Sequence, residues 1–105
     1  MLCTTTETIA GKEITQTLGA VTGNVVQSKH IGRDIMAGLK TIVGGELRGY
    51  TELLSEARNV AIQRMLASAE EKGADAVVGI RFTTSTIMGG SSEILVFGTA
   101  VKLTT

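Results

Sequence analysis

Few residues in this chain could do chemistry. His30 and Asp34 stand four apart, a spacing that puts an imidazole and a carboxylate on one face of a helix, within reach of one transition-metal ion. Two ligands do not close a tetrahedral site, so symmetry copies or water must complete it. Cys3 adds one soft donor near the N-terminus. Imidazole and carboxylate would favour zinc, copper or nickel, whereas a ring of Cys3 thiolates around an oligomer axis would favour copper(I). The plainer reading stands beside this one. Ser28 and Asp34 also suit a helix N-terminus, His30 is then an exposed side chain, and Cys3 is a small packed apolar residue.

Other chemistries find less support. The glycine pairs Gly44-Gly45 and Gly89-Gly90 invite comparison with phosphate loops, yet the chain has no P-loop pattern and no strand–GxGxxG–helix unit. Arg48, beside the first pair, could hold an anion; Arg58 and Arg81 read as interfacial or paired structural charges. Glu52 and Glu56 are spaced as paired carboxylates, but on a helix surface such pairs are solvated. The single histidine and single cysteine have no context tying them into a nucleophile–base set, so the chain is not expected to be an enzyme.

Composition narrows the partners. Ten basic and ten acidic residues cancel, and one tyrosine and two phenylalanines are too few for a base-stacking platform, so neither nucleic acid nor an anionic membrane is an expected partner. No stretch approaches the roughly 20 apolar residues that span a bilayer, and no basic–apolar leader is visible, which together point to a cytoplasmic protein. One cysteine excludes an internal disulfide. At 105 residues the chain is expected to be a single domain, 1–105, with one modest core.

The elements that must position these residues centre on Tyr50–Phe82. Tyr50, Leu54, Ala57, Ala61, Met65 and Ala69 recur with helical period and predict one long helix with a core-facing stripe. Leu53, Val60, Ile62 and Leu66 widen that stripe beyond one sheet, which points to another subunit. Gly73 suits the left-handed stop after the last turn, and Asp75 then turns the chain into a β-branched strand. A first helix is predicted over 28–43 from Ile31, Ile35, Leu39 and Ile42, with 44–50 as a flexible connector. Strands are predicted at 13–26, 76–87 and 92–103, edged by 1–8, with a turn at Gly11-Lys12.

Gly89-Gly90 suits a two-residue hairpin turn, which would pair Phe82 with Phe97, Val78 with Val101, Thr84 with Leu95 and Ile80 with Thr99. The opposite face, with Gly79, Arg81, Ile94, Val96, Gly98 and Ala100, is half apolar and must be covered. The predicted fold is therefore α+β: a mostly antiparallel sheet with two consecutive helices packed on one face.

Several stretches together carry a resemblance: Gly19-Ala20-Val21-Thr22-Gly23, Arg33-Asp34, Ile42-Val43-Gly44-Gly45, Gly49-Tyr50, Ala57-Arg58 and Ala61. Gly73-Ala74-Asp75-Ala76-Val77-Val78-Gly79-Ile80 and Gly98-Thr99-Ala100-Val101-Lys102 complete the set. In order and spacing the chain resembles the YbjQ-like family of uncharacterised bacterial proteins over nearly its whole length. The resemblance implies an α+β domain, a homo-oligomer in the form of a pentamer, and heavy-metal binding. It brings no catalytic residues. A structural or partner-binding oligomer without metal remains the other reading.

Overall fold

The computed structural model describes residues 1–27, 42–43, 46–87 and 91–104. In chain order its elements are β1 (Leu2–Cys3), β2 (Ile14–Gln27), β3 (Ile42–Val43), β4 (Glu46–Leu47), α1 (Arg48–Glu71), β5 (Ala76–Ile87) and β6 (Ser91–Leu103). The main sheet has the order β1-β5-β6-β2; β6 is antiparallel to both neighbours and β1 is parallel to β5. α1 lies across β2 and β6.

The expected α+β arrangement with two consecutive helices needs correction. Among the described residues there is one helix, and the sheet is a four-stranded mixed one. Ile42-Val43, expected as the end of a first helix, pairs antiparallel with Glu46-Leu47, and the helix begins directly at Arg48 with no connector. Two β-branched residues ahead of two glycines favour a tight ribbon over a last helical turn. The rest of the predicted first helix, 28–41, lies outside the described residues, as does Gly89-Gly90.

The stripe on α1 does what its period demands. Ala57, Ala61, Met65 and Ala69 are buried, the last three completely, against Val21, Val77, Ile80, Ile94, Val96 and Ala100. Small residues let the helix come close. A Cβ on Gly23 would sit 2.0 Å from the Ala61 carbonyl oxygen and 2.5 Å from the Met65 nitrogen, so helix and strand touch backbone to backbone there. The half-apolar face of β6 is thus covered by the chain's own helix.

α1 ends as expected. Gly73 has φ +76°, Ala74 N–H donates to the Ala69 carbonyl at 3.1 Å and Gly73 N–H to that of Glu70 at 2.9 Å, the paired bonds of a Schellman cap. Asp75 then fixes the turn: its carboxylate accepts from Leu103 N–H at 2.9 Å and lies 3.9 Å from Lys102 Nζ.

The β5–β6 register differs from the two-residue hairpin expectation. Ile87 pairs with Ser91, Thr84 with Ile94 and Phe82 with Val96, so three residues intervene, not two; the predicted partners of Thr84 and Phe82 move by one, and that of Val78 moves by two, from Val101 to Thr99. A second shift falls between Val78 and Arg81, where Gly79 has φ +63°, the mark of a glycine-led bulge. The bulge sends Val77, Ile80 and Phe82 to the helix side, and Val78 and Arg81 to the other.

The face away from the helix is covered at one end only. There Ile9, Ile14 and Leu103 pack on buried Ala76, Val78 and Val101, forming a small second core under the N-terminal arm. The arm is stitched to β5 by Thr4 N–H to the Val77 carbonyl, Ile80 N–H to Thr4 and Gly79 N–H to Thr6, at 2.8–3.0 Å. Gly11, at φ +76°, closes the predicted turn with Lys12 N–H donating to Ile9.

Candidate functional site

Of the three metal-ligand candidates, one can be placed. Cys3 sits in β1 opposite Val77, a free thiol, half-buried and packed against the main core. That is the environment of a small apolar residue, with the thiol at the sheet margin. His30 and Asp34 lie outside the described residues. Among the described residues no three His, Cys, Asp or Glu side chains gather into a group able to hold a metal ion.

The other charged candidates resolve into local roles. Arg58 Nη2 donates to Ser55 Oγ at 3.1 Å, one turn back on α1, and Arg64 Nη1 donates to the Asn24 carbonyl at 2.7 Å, tying helix to β2. Glu52 and Glu56 are exposed, and Glu56 borders an apolar groove of about 250 Å³ between Val25, Val26, Leu53 and Val60. Val26 and Val60 are themselves exposed. On the open face, Glu93 accepts from Asn24 Nδ2 at 2.9 Å and Ser85 Oγ at 3.4 Å, linking three strands.

Arg81 is the residue whose setting the sequence did not reveal. Its Nη1 donates to the Ile80 carbonyl at 2.7 Å and to the Thr5 carbonyl at 2.9 Å, so the guanidinium is clamped between its own strand and the arm. It borders a cleft of about 370 Å³ whose wall also includes Glu7, Thr17 and Thr99. The signal was present in Gly79: a glycine inside a strand pattern marks a bulge, and a bulge changes which face the following residues take.

Fold and surroundings define the class: a small two-layer domain with, among the described residues, one helix on a four-stranded mixed sheet. The family comparison agrees with the resemblance seen in the sequence. The YbjQ_1 family, described as "Putative heavy-metal-binding", matches residues 1–104, and this chain belongs to that family. A UPF0145 protein of Psychromonas ingrahamii is 79% identical over 103 residues, covering 98% of both chains. A UPF0145 protein of Thermotoga maritima is 59% identical over 103 residues, covering 98% of this chain and 97% of its own. Among solved structures, a protein of unknown function of the DUF74 family from Pediococcus pentosaceus shares the fold. Its TM-score is 0.54 at 18% identity, with 99% of this chain and 98% of that one covered. No helix among the described residues is long and apolar enough to cross a membrane.

Proposed function

We propose that this chain is a homo-oligomeric heavy-metal-binding domain of the cytoplasm, a ring of five as the family resemblance implies, and not an enzyme. The observation that carries the assembly is the state of the sheet edges. β2 has no charge or proline over its 14 residues, its pairing with β6 is regular from Gly19 to Gln27 after irregularities between Ile14 and Gly19, and among the described residues its outer edge has no partner strand. Beyond the arm, β5 from Arg81 to Ile87 has, among the described residues, only β6 beside it, and Arg81 is its one charge. Edges left unguarded in this way pair with another strand. Two different edges on one chain suit a head-to-tail contact, which closes into a ring when the rotation allows.

The family description supports the metal. His30 is the first donor, Asp34 the second and Cys3 the soft alternative, with neighbouring copies or water completing the coordination. Zinc, copper or nickel fits an imidazole–carboxylate set. Protons compete for the imidazole lone pair, so binding weakens as pH falls through the histidine range.

Calorimetric titration with zinc, copper and nickel, run with light scattering on the same samples, tests the reading. The wild type is expected to bind and to scatter as an oligomer at micromolar concentration, with binding abolished in His30→Ala. Equal affinity in the wild type, His30→Ala and Cys3→Ser would remove the site assignment. An oligomer in which none of the three binds metal would leave a structural or partner-binding assembly, and a stable monomer would end the assembly reading.

A further inference from the structure

The cleft beside Arg81 is shaped by the same Gly79 bulge that helps stitch the arm to β5. Without the Gly79 bulge, Arg81 would share a face with Val77, which is fully buried under α1. The extra residue turns the guanidinium to the open face instead, as bulges beside functional sites do. The clamp on Nη1 then fixes the side chain's orientation. It engages one nitrogen only; Nε and Nη2 have no hydrogen-bond partner among the described residues. Those two N–H groups form the side-on edge of the guanidinium, which matches the two oxygens of a carboxylate.

Across the same cleft stands Glu7, and no ion pair joins it to Arg81. Two opposite charges on one concavity, each without a charged partner among the described residues, present a carboxylate-sized donor edge and an ammonium-sized acceptor. Thr17 and Thr99 also line the cleft, as do the buried apolar side chains of Val78 and Val101. At about 370 Å³ the cleft lies within the size range of small-molecule sites. A bare anion would be repelled by Glu7 and a bare cation by Arg81; a molecule carrying both charges meets neither penalty.

We propose that this cleft binds a small zwitterion of the α-amino-acid class, with its carboxylate on the Arg81 side-on edge, its ammonium toward Glu7 and a short aliphatic side chain on Val78 and Val101. The site shares no residue with the proposed metal ligands and stands or falls apart from them.

Calorimetric titration of the full chain in the presence of a chelator tests it, with L-leucine as the probe. 4-Methylpentanoate, which lacks the amine, and 3-methylbutylamine, which lacks the carboxylate, serve as controls. L-Leucine is expected to bind in the millimolar range or tighter, and at least about tenfold more tightly than either control. Arg81→Lys keeps the charge but loses the side-on pair, and should lower leucine affinity by about tenfold. Glu7→Gln, on an exposed arm residue that leaves the core untouched, should bring leucine down to the affinity of 4-methylpentanoate. No saturable leucine binding, or equal binding of leucine and 4-methylpentanoate by the wild type, would overturn the proposal. So would unchanged leucine affinity in both variants, provided thermal melts show them folded.

Discussion

The two faces of the sheet are finished in different ways. Under α1, glycine and alanine bring helix and strand backbones together and leave Val96, Ala100 and Met65 completely buried. On the open face, only the end beneath the arm is sealed. Towards the hairpin that face carries Thr22, Asn24, Thr83 and Ser85 around an exposed Phe97. The first face has no slack, since its closest contacts are between backbone atoms that cannot rotate away. The second has a small apolar core beneath the arm, and towards the hairpin it is held by threonines and the polar links of Glu93 to Asn24 and Ser85, which water can replace. Most of the stability therefore resides on the helix side.

That contrast can be broken most sharply at Gly23. Gly23→Ala forces a Cβ into the Ala61 carbonyl and should cost about 3 kcal/mol or more, at the top of the usual range for overpacking, because neither partner is a yielding side chain. Denaturant unfolding measures it, and the neighbouring Thr22→Ala, exposed on the other face, should stay within about 0.5 kcal/mol. A similar loss at both positions would erase the distinction.

Met65→Ala comes next. It removes the largest wholly buried side chain among the described residues of α1 and leaves a cavity, which should cost about 3 kcal/mol in the same assay. A smaller effect than either core change is expected from Phe97→Ser on the open face, about 1 kcal/mol or less in a monomer, since the ring is 39% exposed. If copies of the chain cover that ring, light scattering should instead show Phe97→Ser shifting the assembly towards smaller species. An unchanged assembly would place Phe97 outside the contact.

Ala100 shows what covers the face that the sequence left half apolar. At Gly98 and Ala100 the approaching elements are the chain's own β5 and α1. A Cβ on Gly98 would meet Val77 Cγ1 at 2.7 Å and Ile80 Cγ2 at 2.9 Å, and Ala100 is fully buried. Composition announces a close approach without saying which element makes it.

The sequence by itself determined the features that depend on local periodicity and single-residue conformation. The buried stripe Ala57-Ala61-Met65-Ala69 follows from helical spacing, the helix stop at Gly73 from the one residue at ease in the left-handed region, and the strand positions from β-branched runs. The family could also be read there, because its glycines and alanines recur in order along the whole chain. Of the candidate metal ligands, sequence gave residue types and spacing, and the structure locates Cys3 alone. Tertiary structure decided the rest, for a common reason: register and face depend on which residues pair across the sheet. One extra residue in the 88–90 connection and one at Gly79 reassign Phe82, Val78 and Arg81 to faces that alternation along β5 could not foresee. Whether Ile42-Val43 ends a helix or forms a ribbon depends on Glu46-Leu47 being there to pair with it, and helical period in one segment carries no information about that partner.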